Sequence, residues 1–178
     1  MPHNFFHRTW RTLTSNHWLQ ITAVTYIYFI VARFSLLLAF ENTNATPLWP
    51  PSGLAFAFIL LLGRHIWPGI FLGAFLANVT AYTVNQLASP LEIGILSSLI
   101  AFGNTLEAVA GYFLFKKFIK KPDPLHHPQD VFIFLAITFS ACLISAVNGP
   151  TWLYLLGYVN WDLYKTIFVT WWIGDVTG

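Results

Sequence analysis

The chain has 178 residues, of which 56% are hydrophobic and only 9% charged, with a formal net charge of +2. Soluble domains carry about a quarter charged residues, and a chain this apolar would expose aggregating patches in water. Composition therefore excludes an ordinary soluble enzyme and names the bilayer as solvent, in keeping with a mean hydropathy of +0.61.

Residues 1–17 are polar and basic and read as a cytoplasmic N-terminal segment. The apolar run that follows is too long for a signal peptide and has no small-residue cleavage site. A membrane span takes roughly 20 apolar residues. The first span is expected at Trp18–Phe40. A short second span occupies about Ser52–Ile66 and a third runs from Pro68 to about Asn85. A fourth covers about Leu91–Phe115. The fifth starts near Val131 and is expected to be interrupted at Asn148-Gly149-Pro150, because Pro removes a backbone donor and Gly permits a bend. The sixth starts near Trp161 and still runs at Gly178. The predicted fold is all-α, a polytopic transmembrane bundle with five or six spans. The eight Trp residues suit interfacial belts.

The basic residues alternate. Arg8 and Arg11 precede the first span, Arg64 lies between the second and third, and Lys116, Lys117, Lys120 and Lys121 lie between the fourth and fifth. The loops at about 41–51, 86–90 and 151–160 hold no Lys or Arg. By the positive-inside rule the N-terminus is cytoplasmic. The four-Lys loop reads first as a topology determinant and second as a contact for anionic lipid.

Ionisable groups within spans are costly and are functional candidates by default. Arg33, Glu107 and Asp175 are such groups, and Arg33 is expected to neutralise one of the acids. Asn104 shares a helix face with Glu107; Thr105, Asn78 and Asn148 are amides and hydroxyls for the same interior. Ligand or signal sensing, helix–helix adhesion and ion or proton conduction all remain open for this set. Gly69, Gly73, Ala77 and Ala81 form a small-residue ridge that lets helices approach closely within the bundle. In Trp49-Pro50-Pro51-Ser52-Gly53, Pro51 suits the first helical turn and Ser52 can cap free amides. This segment is either a turn that begins a helix or a half-buried helix N-terminus that attracts an extracytoplasmic anion.

Other signals are weak. His126 and His127 are adjacent in a loop and lack metal-ligand spacing. His65 reads as interfacial, and Cys142 as a small apolar filler that excludes a disulfide framework or cysteine-rich metal site. Asn44-Ala45-Thr46 matters only in a glycosylating host. No catalytic set, metal site, cofactor motif or nucleic-acid patch is evident.

Five motifs occur in order: Trp49-Pro50-Pro51-Ser52-Gly53, Gly63-Arg64-His65-Ile66-Trp67-Pro68-Gly69, Gly73-Ala74-Phe75-Leu76-Ala77-Asn78, Gly103-Asn104-Thr105-Leu106-Glu107-Ala108 and Trp171-Trp172-Ile173-Gly174-Asp175. Together they resemble the MASE1 family, a bacterial integral-membrane sensor domain, over residues 18–178. The resemblance implies a multi-pass inner-membrane domain of about eight spans in complete members. It sits N-terminal to a cytoplasmic output module such as a histidine kinase or diguanylate cyclase. Against that pattern the chain reads as lacking the last spans and the output domain, so that Asp175 would be left uncovered toward lipid. The expected function is relay of a periplasmic or intramembrane signal to such a module, with Arg33, Trp49, Ser52, Gly53, Asn78, Asn104, Glu107, Trp171 and Asp175 as candidate sensing residues. The alternative is a small transporter using Arg33, Glu107 and Asp175; a third is a membrane placement module. The ligand's identity and pairing with a second copy are left open.

Overall fold

The computed structural model describes residues 16–39, 45–120 and 127–178. Arg8, Arg11, Lys121, His126 and Asn44 lie outside the described residues, as does most of the expected N-terminal segment.

Six α-helices follow one another among the described residues: α1 (His17–Ser35), α2 (Pro50–Leu62), α3 (Trp67–Val84), α4 (Pro90–Phe118), α5 (Pro128–Leu155) and α6 (Trp161–Thr177). Their starts are written locally. Asn16 caps α1, accepting from the amides of Trp18 and Leu19, and Asn160 caps α6, accepting from Leu163. Ser89 and Glu92 close a reciprocal capping box on α4, which satisfies two otherwise orphaned donors. Pro residues occupy the first turns of α2, α3, α4 and α5, where the missing N–H costs nothing. Between α2 and α3 the turn is sharp because Gly63 adopts φ +99°, a conformation that side chains resist.

Four segments are long and apolar enough to cross a bilayer: His17–Leu38, Arg64–Val84, Pro90–Phe118 and Pro128–Leu155. The remaining two helices are shorter. With 13 residues, α2 extends about 20 Å against a hydrocarbon core of roughly 30 Å. It therefore starts inside the bundle and not at its rim. There it meets the end of α6: the Trp49 amide donates to the Gly174 carbonyl at 2.9 Å, and Thr177 Oγ1 to the Pro47 carbonyl at 3.1 Å. Two short helices thus join end to end.

Many small residues face inward beside buried Tyr28, Ile59, Ile70 and Leu96, and many large apolar ones face outward. Ala32, Ala74, Ala77 and Ala101 are fully buried, whereas Phe34, Leu37, Leu61, Phe102 and Phe132 are exposed. This reversal of the soluble pattern fits a lipid-facing surface, where helices associate through close backbone approach. The ridge of α3 does so against α1: a Cβ added at Gly69 would stand 2.7 Å from the Ile21 carbonyl oxygen, and one at Gly73 2.8 Å from Tyr28 Cβ. The ridge is an internal seam, as its spacing suggested. At the end of the bundle bearing Arg64, His65 Nε2 and Gln20 Oε1 share a hydrogen bond of 2.7 Å, which ties the α2–α3 turn to α1.

The expected break in the fifth span is absent. Helix α5 runs unbroken through Pro150. Side-chain bonds from the residues around Pro150 tie this stretch to its neighbours. Asn148 donates from Nδ2 to the Leu99 carbonyl of α4 at 2.8 Å and accepts from Trp152 Nε1 at 3.2 Å. Gly149 and Pro150 are buried against neighbours and not bent away from them. Asn148→Ala removes both bonds and is expected to cost about 1–2 kcal/mol, measurable as lowered thermal stability in detergent or nanodiscs.

Candidate functional site

Four elements bring polar groups to one place. Glu107 and Ser145 each lie within about one helical turn of the midpoints of α4 and α5. Asp175 comes from the last turn of α6, and Ser52 from the first turn of α2. Ser52 Oγ donates to Asp175 Oδ1 at 2.9 Å, and Ser145 Oγ donates to Asp175 Oδ2. The carboxyl of Glu107 lies beside that of Asp175, within hydrogen-bonding reach. Cys142 Sγ donates to Glu107 Oε1 at 3.6 Å. Glu107 Oε2 is buried and has no hydrogen-bond partner, although the Ser52 and Ser145 hydroxyls that serve Asp175 also lie near the Glu107 carboxyl.

A cavity of about 240 Å³ opens onto this cluster, with Phe56, Ala108 and Phe134 among its walls. Among the described residues no Lys, Arg or His lines it. The arrangement places two carboxyls and three weak donors in a dry setting, where charge is expensive and a small change in partners has a large electrostatic consequence. Among the described residues no group of His, Cys, Asp and Glu is disposed to hold a metal ion.

The sequence-predicted residues separate into those that meet and those that do not. Ser52, Glu107 and Asp175 converge. Gly53 adjoins them, and a Cβ on it would stand 2.5 Å from the Gly178 carbonyl oxygen. Trp49 is buried at the start of α2 with Tyr28 in the neighbouring core. Asn104 donates to the Tyr28 hydroxyl at 3.3 Å, one turn from Glu107. Trp171 lies flat against Gly149, where an added Cβ would meet ring carbons at 2.5 Å, and so seats α6 on α5. Asn78 bonds within its own helix, to the Ala74 carbonyl at 2.9 Å, and stays out of the cluster.

Four expectations require correction. Arg33 does not neutralise the acids: its Nη1 donates to Thr80 Oγ1 of α3 at 3.3 Å, and no ion pair joins it to Glu107 or Asp175. Its depth differs from theirs: Asn104, one turn from Glu107, meets Tyr28, whereas Arg33 lies five residues beyond Tyr28 toward the other end of the bundle. Ser52 makes no capping bond to α2 and spends its hydroxyl on Asp175. The half-buried helix start therefore already faces an anion from the chain itself. Asp175 is only 3% exposed and is enclosed by α2, α4 and α5, not left open to lipid. Cys142 is more than filler, since it contacts Glu107. Ser145 was missed. Its signal was present: Cys142, Ser145 and Gly149 fall at i, i+3 and i+7, one face of α5.

A family model described as MASE1 matches residues 18–178. The chain belongs to the MASE1 family. It is 30% identical over 139 residues to "Probable diguanylate cyclase DgcE" of Escherichia coli (strain K12), covering 78% of this chain and 12% of that protein. The chain thus spans about an eighth of the length of that relative. No solved structure matches it. A MASE1 domain is an integral-membrane sensor domain that typically accompanies a cytoplasmic output domain, and the apolar helices of this one fit a multi-pass membrane location. The catalytic machinery of such a signalling protein belongs to its output domain and not to its MASE1 domain.

Proposed function

We propose that this MASE1 domain registers its signal at the Ser52–Glu107–Ser145–Asp175 cluster and relays it to a cytoplasmic output domain of the kinase or cyclase type. Relay runs through movement of the short helices α2 and α6 against α4 and α5. The N-terminus and the basic turns carrying Arg64 and Lys116–Lys120 face the cytoplasm in this reading. The observation that carries it is Asp175, a buried carboxyl at the junction of two short helices, held by a hydroxyl from α2 and another from α5. Such a junction is suited to two arrangements. A signal that binds one more tightly than the other shifts the balance, with couplings of about 1–3 kcal/mol typical of such sites. The transport alternative drew on Arg33 together with the acids, and the separate pairing of Arg33 with Thr80 removes that basis.

The test is a chimera in which this chain replaces the matching stretch of the diguanylate cyclase relative, with cyclic di-GMP measured in cells at equal membrane abundance. Glu107→Gln and Asp175→Asn are each expected to change output at least fivefold, and Arg33→Ala less than twofold. Output within twofold of wild type for all three would overturn the assignment of the cluster as the sensing site.

A further inference from the structure

The cluster has an unbalanced composition. Two carboxyls stand side by side in the bundle interior, and the walls of the adjoining cavity contribute no basic residue. Of the available donors, Ser52 and Ser145 serve Asp175 and Cys142 serves Glu107 Oε1. Glu107 is 5% exposed, lines the cavity, and has Oε2 without a donor. A buried carboxylate oxygen left without a donor or counter-charge is costly and calls for a partner. Asp175 can serve it only through a proton shared between the two carboxyls, since ionised carboxyls accept and do not donate.

The space beside Glu107 is larger than a proton or a water requires. The cavity measures about 240 Å³, whereas one water needs roughly 10–15 Å³ on the same kind of measure. Phe56, Phe134, Ala108 and Ile137 line it with apolar surface, alongside Thr138 and Thr177. Leu135, which is 43% exposed, also lines it. Two carboxyls together with aromatic and aliphatic walls describe a site for a molecule with a cationic head and an apolar body.

We propose that this cavity binds an organic ammonium ligand, its N–H groups donated to Glu107 Oε2 and the Asp175 carboxyl and its apolar part laid against Phe56 and Phe134. The proposal rests on the reading of the cluster as the sensing site and supplies the chemical class of the ligand. Charge complementarity fixes the head group: a cation offers both the donor and the counter-charge that the lining lacks. The aromatic walls favour the same class, because ring faces attract cations and bury hydrocarbon.

The probe is 2-phenylethylammonium, titrated into the full chain in lipid nanodiscs, with empty nanodiscs correcting for partition into lipid. Saturable binding is expected for the ammonium and at least tenfold weaker binding for 2-phenylethanol, which keeps the size but lacks the charge. Glu107→Gln is expected to weaken the ammonium at least tenfold. Thr138→Phe, which fills the cavity without touching either carboxyl, is expected to abolish binding. No saturable component, equal binding of the alcohol, or unchanged affinity in a folded Thr138→Phe variant would each overturn the proposal. Binding that follows these expectations with no change in chimera output would support the ligand site and overturn its sensory role, so the two failures are distinguishable.

Discussion

Gly149→Leu is expected to abolish the native arrangement of α6, seen as loss of a monodisperse folded species and at least about 3 kcal/mol of stability, the upper range for overpacking a core. The reason is geometric. A Cβ at this position already falls 2.5 Å from two carbons of the Trp171 ring, and Trp171 is only 6% exposed and has no free space to retreat into. The longer side chain forces α5 and α6 apart. Four residues toward its C-terminal end α6 carries Asp175, so the same displacement breaks the bonds from Ser52 and Ser145. The comparison substitution is Gly94→Ala. Nothing lies within 4 Å of a Cβ at Gly94, and the gain in helix propensity should raise stability by about 0.5–1 kcal/mol. Thermal unfolding of the two variants beside wild type checks both expectations, and near-equal melting for Gly149→Leu would contradict the packing described for α6.

Asp175→Asn is expected to stabilise the domain while silencing its response. Asparagine keeps the shape of aspartate and one acceptor oxygen, so a serine hydroxyl still finds a partner. Its amide adds two donors. One of them faces Glu107, whose Oε2 lacks a donor in the native cluster. The variant also removes one of two adjacent carboxyls. The bond gained toward Glu107 offsets the serine bond lost with the second oxygen, and removal of one of two adjacent buried carboxyls tips the balance, so unfolding is expected at higher temperature. The bond that stabilises also fixes the junction in one arrangement, which removes the differential binding that any ligand needs to shift it. A chimera carrying Asp175→Asn should therefore give constant output under conditions that vary the wild type. Lower stability of Asp175→Asn would show that Glu107 is satisfied by other means.

Much of the fold was legible because the bilayer leaves few choices. Backbone polar groups must be satisfied within each segment, so apolar runs become helices, and Gly63 with the paired Pro residues marked where they end. The ridge Gly69–Gly73–Ala77–Ala81 was legible for the same reason: in lipid, small residues at spacing four have packing as their main use. Continuity of α5 was not legible, because Gly and Pro within a helical run signal a break, and the contacts that hold this stretch, Asn148 to Leu99 among them, involve another helix. In the site, Glu107 and Asp175 stood out through cost alone. Their partners did not. Ser145 and Cys142 are small residues that serve packing and hydrogen bonding equally well, and only the chain's own tertiary contacts separate the two uses. Arg33 misled because position along one span does not fix depth against another, and it lies nearer the Ser35 end of α1, level with Thr80.

The central claim is that the junction of α2, α4, α5 and α6 exchanges between two arrangements under control of its carboxyls. The most direct measurement is the distance distribution between spin labels at Phe102 on α4 and Ile173 on α6, both exposed on the outer surface, by double electron–electron resonance in nanodiscs. Wild type is expected to show two resolved populations, and Asp175→Asn a single narrow one. A single distribution, identical in wild type and Asp175→Asn, would contradict the account.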